Sequence, residues 1–409
     1  MKWRTMPLDA AKASVPYAFV GGPFGSNLTM RDYVDEGVPV IRGNNLPIDA
    51  SFHDDDFVFV SEKKADDLRA NTAFPGDLVF TQRGTLGQVG VIPREARFQR
   101  YIISQSQMKL TVDPDVANAR FVYYFFRLSV TLQKVINHAL TSGVPHINLG
   151  ILKEFEITLP EIDYQQRIAD ILSAYDDLIE NNRRRMALLE DSARQLYREW
   201  FVRLRFPGHE HTRITNGVPG GWERRRLSDV AEINRESLPG SYDGEIEYID
   251  ISSVTPGSIN ETTRYDIRDA PSRARRVVQH GDIIWSCVRP NRRSYAVIWQ
   301  PPPNLIASTG FAVMTPMAVS TAFLLQATTT DAFVGYLENH ARGAAYPAVV
   351  AGDFGRAEIL IPRPALVGAF NEHAEPFLSQ AHVLRLQDAR LRAARDLLLP
   401  RLMTGEIAV

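Results

Sequence analysis

The 409-residue chain has one cysteine, Cys287, so it cannot close an internal disulfide, and no Cys/His cluster has zinc-ligand spacing. No structural metal is expected, and the composition fits a reducing compartment. No apolar run approaches the roughly 18 residues of a membrane span, and Met1 to Ala10 lacks the apolar core of a signal peptide. These absences predict a soluble, cytoplasmic protein with no membrane partner. Neither sign of charge dominates: 46 Lys and Arg against 48 Asp and Glu give a formal net charge of −2. Any nucleic-acid partner must therefore be met by a local patch. With 44% hydrophobic and 23% charged residues, disorder and collagen are excluded, and the length suits two or more domains of about 100 to 200 residues.

Catalytic constellations are missing as well. Gly21-Gly22-Pro23-Phe24-Gly25-Ser26 is glycine-rich but lacks the Gly-Lys-Ser/Thr ending that cradles nucleotide phosphates. Pro301-Pro302-Pro303-Asn304 has the wrong order for an adenine-methyltransferase loop and reads as a turn. Glu62 and Lys64 resemble half of a metal-nuclease signature, but the Pro114-Asp115 pair follows them instead of preceding them. No catalytic residue, metal ligand or cofactor is therefore expected in this chain.

What is present is a long, weak internal repeat. Leu159-Pro160 is matched 202 residues later by Ile361-Pro362, and Asn137-His138-Ala139 at the same offset by Asn339-His340-Ala341. Pro75-Gly76-Asp77-Leu78-Val79-Phe80 corresponds to His280-Gly281-Asp282-Ile283-Ile284-Trp285 at an offset of 205. Trp3 and Leu8 correspond to Trp222 and Leu227. The drift implies small insertions between two related halves.

Each half ends in a segment of strong helical periodicity. Ile168, Tyr175, Asn182, Leu189 and Leu196 recur every seven residues, with Leu172, Ile179, Met186, Ala193 and Trp200 as a second row. Asp163 with Gln166 reads as a capping-box start, and Pro207-Gly208 as a stop. Phe370, Phe377, Leu384, Leu391 and Leu398 repeat every seven in the second segment, and Ile168 to Phe370 is again 202 residues. Forty helical residues span about 60 Å, and such a helix alone would leave its apolar row wet. Two amphipathic helices packed on separate domains would also satisfy the pattern. An antiparallel coiled coil relating the halves by a pseudo-twofold satisfies it better, with Asn182 at a core position fixing register.

The fold class expected is α+β or mixed α/β. The segments are a globular domain over 1–160, a central long helix over 161–206, a turn-rich linker over 207–221, a second globular domain over 222–362 and a C-terminal long helix over 363–404. Within the first domain, Val38 to Arg42, Asp77 to Gln82 and Lys109 to Val112 read as strands, and Arg120 to His138 as one helix.

The chemistry on offer is hydrogen bonding from glycine-punctuated loops. Thr81-Gln82-Arg83-Gly84-Thr85-Leu86-Gly87-Gln88 follows a strand and carries side chains suited to base edges and phosphates, though a plain turn has the same signature. Arg42-Gly43-Asn44-Asn45, Ser104-Gln105-Ser106-Gln107 and His146-Ile147-Asn148 add donors and acceptors, and Asn44 equally suits a turn cap. Between Thr263 and Arg293 there are eight arginines, at 264, 268, 273, 275, 276, 289, 292 and 293, against the acids Asp266, Asp269 and Asp282. Ser286-Cys287-Val288-Arg289-Pro290-Asn291-Arg292-Arg293 occupies the repeat position of the Gln82 to Gln88 loop. A solvated arginine face is the plainer reading of that patch, and arginines aimed at guanine edges or phosphates the sharper one.

These residues match a known pattern. Gly37-Val38-Pro39-Val40-Ile41-Arg42-Gly43-Asn44-Asn45-Leu46, Gly76-Asp77-Leu78-Val79-Phe80-Thr81, Gly84-Thr85-Leu86-Gly87 and Ile102-Ile103-Ser104-Gln105-Ser106-Gln107-Met108 resemble the first target-recognition domain of the specificity subunit of type I restriction-modification enzymes. Gln165-Gln166-Arg167-Ile168-Ala169-Asp170-Ile171-Leu172-Ser173 through Asn182 resembles that family's central conserved region, and Pro400-Arg401-Leu402-Met403-Thr404-Gly405-Glu406-Ile407 its C-terminal run. The second helix departs from the pattern, with Gly368-Ala369-Phe370-Asn371-Glu372 at its start.

The resemblance implies a non-catalytic reader of double-stranded DNA. Each recognition domain would read one half of a split target, and the helices would fix the gap. It also implies two methyltransferase subunits, docked on the helices and carrying S-adenosylmethionine, and restriction subunits using ATP as further partners. Expected DNA contacts are Arg42, Asn44, Arg83, Thr85, Gln88, Ser104, Gln105, His146 and Asn148 in the first half. In the second they are Ser286, Arg289, Asn291, Arg292, Arg293 and Tyr346. A methyltransferase or nuclease with a degenerate site, and a scaffold that does not bind DNA, are the alternatives.

Overall fold

The computed structural model describes residues 3–139 and 146–409. Its contacts divide the chain into two units, Met1–Asn182 with Gln387–Val409, and Arg183–Leu386. Both divisions fall inside long helices. Each unit therefore contains a globular part and a portion of both helices, where the sequence pattern treats the helices as separate segments.

In the first unit, Tyr33–Val34, Val58–Val60, Val38–Ile41, Tyr101–Ile103 and Thr72–Ala73 form a five-stranded sheet in that order. Its one parallel pair joins Val38–Ile41 to Tyr101–Ile103. Phe19–Gly21, Gln107–Leu110, Leu78–Thr81 and Val89–Val91 form an antiparallel four-stranded sheet. Leu78–Thr81 is buried at every position, which is why it reads as a continuous run, whereas Gln107–Leu110 is equally buried although its residues alternate polar and apolar. The strand expected over 109–112 starts two residues earlier and ends at Leu110.

The single helix expected over 120–138 is two helices, Ala119–Arg127 and Ser129–Asn137, broken at Leu128 by an extended backbone (φ −61°, ψ 133°). No proline or glycine marks the break. The short helix Leu149–Glu154 leads to Glu156–Leu159, which pairs antiparallel with Arg4–Pro7.

The second unit repeats this order. Thr263–Asp266, Glu245–Ile249, Leu305–Ser308 and Ala274–Val277 form a mixed sheet whose parallel pair is Glu245–Ile249 with Leu305–Ser308. Ala231–Ile233, Phe311–Pro316, Ile283–Ser286 and Tyr295–Val297 form the antiparallel sheet, in the same strand order as its counterpart. Thr321–Thr328, Asp331–His340 and Ala351–Arg356 are the helices, and Glu223–Arg226 pairs with Glu358–Ile361.

The central helix runs Ile162–Tyr197 and ends in a π-turn, Arg198–Val202, before the expected Pro207-Gly208 stop. No capping box forms at Asp163. The helix already includes Ile162, and the Gln166 amide accepts from Asn118 and donates to Asp170 instead. The C-terminal helix runs Pro364–Met403. In the first unit the start of the central helix (Ile168, Ala169, Leu172) shares a core with the end of the C-terminal helix (Leu402, Met403). In the second, the end of the central helix (Ala193, Tyr197) and Phe201 of its π-turn share one with the start of the C-terminal helix (Phe370, Ala374, Leu378). The two helices are therefore antiparallel.

Ile168, Leu172, Ile179, Asn182, Phe370 and Leu384 are buried, whereas Tyr175, Leu189, Leu196, Phe377, Leu391 and Leu398 are half-buried. The most buried row of the C-terminal helix is Val367, Ala374, Ala381, Asp388, Arg395 and Leu402, every seventh residue. Two of its members are charged, so an apolar pattern passes over it. Asn182 donates through Nδ2 to Asp388 Oδ1 at 3.0 Å. Arg395 donates to Asp176 at 2.6 Å, and the other Asp176 oxygen accepts from the Tyr124 hydroxyl at 2.6 Å. Glu190 pairs with Arg385 in the second unit.

Candidate nucleic-acid interface

Both units present a polar loop from the same scaffold. In the first, a turn with left-handed Gly76 leads into Leu78–Thr81, and buried Asp77 accepts from Phe74 N at 2.9 Å and from Thr111 Oγ1 at 2.6 Å. In the second, left-handed Gly281 precedes Ile283–Ser286, and Asp282 accepts from Gln279 N at 2.8 Å and from Thr315 Oγ1 at 2.7 Å. Beyond the strand, Gln82 N bonds Ser106 O at 2.7 Å and Gln82 O accepts from Ile147 N at 3.1 Å. Cys287 N bonds Gly310 O at 2.8 Å and Cys287 O accepts from Val349 N at 2.9 Å. Each loop is thus latched at its root to two neighbouring segments by backbone bonds that any sequence can make. The side chains beyond the root are free to differ.

In the first unit, Arg83 and Thr85 are exposed at the tip of this loop, and Arg83 forms a backbone bridge with His146. Gln88 is half-buried and accepts from Thr81 Oγ1 at 3.4 Å. Asn148 caps Leu149–Glu154, its Oδ1 accepting from Ile151 N at 2.9 Å. Ser104 donates to Gln107, and Gln105 donates to the carbonyls of Gly25 (2.7 Å) and Leu28 (2.6 Å). A Cβ at Gly22 would collide with the Ser104 carbonyl, so this glycine is needed for the loop 22–28 to lie against the turn.

Arg42 and Asn44 both hold Asp56, whose backbone is left-handed, by bonds of 3.2 Å from Nη2 and 2.9 Å from Nδ2. Gln105, Asn148, Arg42 and Asn44 thus spend hydrogen bonds on shaping loops. Arg83 and Thr85 make no side-chain hydrogen bond or ion pair among the described residues.

The second-unit loop is more rigid. Ser286 is fully buried and its hydroxyl exchanges hydrogen bonds with Val288, donating to O at 2.9 Å and accepting from N at 3.2 Å. It braces the loop from beneath and is not on the contact surface. Arg289 and Arg293 are both left-handed, at φ 51° and 53°. The Arg289 guanidinium lies 4.5 Å from the ring centre of Tyr346 and donates to Ala345 O at 3.2 Å. Asn291 and Arg292 are exposed. Arg293 is turned away into an ion pair with Asp331 and a bond to Thr329 O at 3.3 Å.

The arginine-rich segment is less basic in space than along the chain. Arg264 pairs with Glu247 at 3.3 Å, Arg273 with Asp250 at 3.9 Å and Arg293 with Asp331, and these three acids lie outside the segment. Arg268 makes a two-point contact with Asp266, whose carboxyl it holds far below the usual carboxylate range. The Arg293 hydrogen bond likewise lowers Asp331. Arg275, Arg276, Arg289 and Arg292 remain without an acid partner among the described residues. Burial pushes the Cys287 thiol up to about 11, so the one cysteine is a poor nucleophile. Among the described residues no group of three His, Cys, Asp or Glu is arranged to hold a metal, and no helix is long and apolar enough to cross a membrane.

Comparison with known proteins agrees with this geometry. Residues 29–191 match the family described as type I restriction modification DNA specificity domain. The chain is 21% identical over 367 residues to the type I restriction enzyme MjaIX specificity subunit of Methanocaldococcus jannaschii, covering 86% of this chain and 82% of the relative. It is 20% identical to the HindI specificity subunit of Haemophilus influenzae, covering 75% of this chain and 81% of the relative. The fold is similar to the crystal structure of the type I restriction-modification S subunit from M. genitalium, with a TM-score of 0.61, 15% identity and coverage of 98% of this chain and 96% of that one. The domain match over residues 29–191 and the relatives aligned over most of the chain both indicate a type I restriction-modification specificity subunit, and the solved S subunit shares its fold.

Proposed function

We propose that the chain recognises a bipartite DNA sequence, each unit reading one half through the loops latched at Gln82 and Cys287. The observation that carries this reading is a duplicated scaffold whose backbone bonds are the same in both units while the loop side chains differ. A repeated frame with divergent tips is what two readers of two unlike half-sites require. The antiparallel helices would act as the ruler, since about 60 Å of helix against roughly 34 Å per DNA turn can set contacts one to two turns apart.

The chain itself would be non-catalytic. Two methyltransferase subunits docked on the outward helix faces would bring S-adenosylmethionine, and restriction subunits would bring ATP. The test is selection from a random duplex library by the chain assembled with its methyltransferase subunits. Enrichment of two short elements at one fixed spacing is expected; enrichment of one element, or of none, contradicts the reading.

A further inference from the structure

Of the three arginines in the loop that follows Ile283–Ser286, Arg289 is, among the described residues, the one held in a fixed orientation without being neutralised. Its backbone is left-handed, a conformation that is strained for a residue with a side chain and persists only where the surroundings impose it. The surroundings are explicit. Arg289 N bonds Pro347 O at 2.7 Å, Ala348 bridges both Val288 and Arg342, and Ser286 braces Val288 from below.

The guanidinium then stacks on Tyr346 and gives one Nη2 hydrogen to Ala345 O. Tyr346 is 69% exposed and Arg289 half-buried, so this plane stands at the surface. No acid pairs with Arg289 among the described residues. The remaining Nη2 hydrogen and those of Nη1 and Nε are enough for a two-point contact.

We infer that Arg289, oriented by Tyr346, reads a guanine in the half-site of the second unit. This inference rests on the DNA-reading function proposed above and names the base. Arginine has donors only. On the major-groove edges, guanine alone offers two adjacent acceptors, O6 and N7, whereas adenine places a donor beside its acceptor and cytosine presents a donor. A pinned planar fork suits a planar pair of acceptors. A phosphate needs only a charge that can swing to meet it, which the exposed Arg292 supplies in the same loop. Arg293 is excluded from base reading by its ties to Asp331 and Thr329.

The experiment is single-molecule methylation sequencing in cells carrying the cognate methyltransferase subunit and either the wild-type chain or a variant. With Arg289→Ala, one G·C position of the second half-site should lose its preference by about ten- to a hundred-fold while the first half-site and the gap stay unchanged. Tyr346→Ala should relax the same position by less, Tyr346→Phe should leave it intact, and Arg292→Ala should lower occupancy evenly without altering the motif. An unchanged motif with Arg289→Ala, or an even fall at all sites, overturns the inference. Should Arg289→Ala direct no methylation at all, the Tyr346→Ala motif decides: relaxation at one G·C position supports the inference and an unaltered motif overturns it. A wild-type chain that directs no bipartite motif overturns the DNA-reading function and this inference together.

Discussion

Asp77 and Asp282 stand at the same place in the two units and accept the same pair of hydrogen bonds, yet they face different neighbours. Lys109, opposite Val79, is the residue whose place Val313, opposite Ile284, takes in the second unit. Lys109 Nζ lies 3.3 Å from Asp77, with both side chains buried. Asp282 has Thr315 and the Gln279 amide but no ion pair among the described residues, Arg235 acting on it only through space, and burial pushes its carboxyl above the ordinary range. The shared bonds are what the turn and loop root need. The lysine is an addition that one half carries and the other does without.

The largest expected effect breaks this comparison directly. Asp77→Asn leaves the Lys109 ammonium buried without a counter-charge and should destabilise the first unit by about 3–5 kcal/mol, whereas Asp282→Asn should cost the second about 1 kcal/mol. Native-state hydrogen exchange, which follows each unit separately, measures both. Equal losses would mean that the lysine is irrelevant.

Next come the two ends of the helix pair. Leu172→Ala in the first unit and Phe370→Ala in the second each remove a fully buried side chain and should cost about 2–5 and 3–5 kcal/mol. The same exchange experiment should show each loss in the unit that holds the residue. The buried polar pair behaves differently. Asn182→Leu alone leaves Asp388 without its donor and should cost about 1–3 kcal/mol. With Asp388→Leu added, stability should return to within about 1 kcal/mol of wild type while register loosens, read as a spread of gap lengths in the methylated motif.

The smallest effect is in pH. The folded-state pKa of Asp282 lies above its ordinary 3.8, so the native state holds the proton more tightly and the contribution of this group falls as pH rises from 3.8 through the raised value. The stability cost of Asp282→Asn relative to wild type should therefore shrink as pH rises across that window in acid titrations of denaturant midpoints. A difference that stays flat would contradict the assignment.

Much of this was legible in sequence. The Gly-Asp turns 205 residues apart mark the equivalent strands, and the seven-residue rows mark the long helices, because backbone turns and apolar periodicity leave local signatures. What stayed hidden depends on partners distant in sequence. Glu247, Asp250 and Asp331 neutralise arginines from outside the arginine-rich segment. Asp388 and Arg395 occupy buried positions that no apolar pattern reveals, since each is matched by a polar group on the other helix. Ser286, Gln105 and Asn148 have the chemistry of DNA contacts but spend it on their own backbone, which composition cannot distinguish. The break at Leu128 leaves no residue signal at all.

One scaffold, used twice, is proposed to read two unlike half-sites independently. The most direct measurement is the adenine methylation map of cells carrying the cognate methyltransferase subunit, without this chain, with it, and with Arg83→Ala and Thr85→Ala in the first-unit loop. A two-part motif with one fixed gap should appear only with the chain, and the loop variants should alter one half-site while leaving the other half and the gap unchanged. A motif that changes in both halves together, or one that does not depend on the chain, would contradict it.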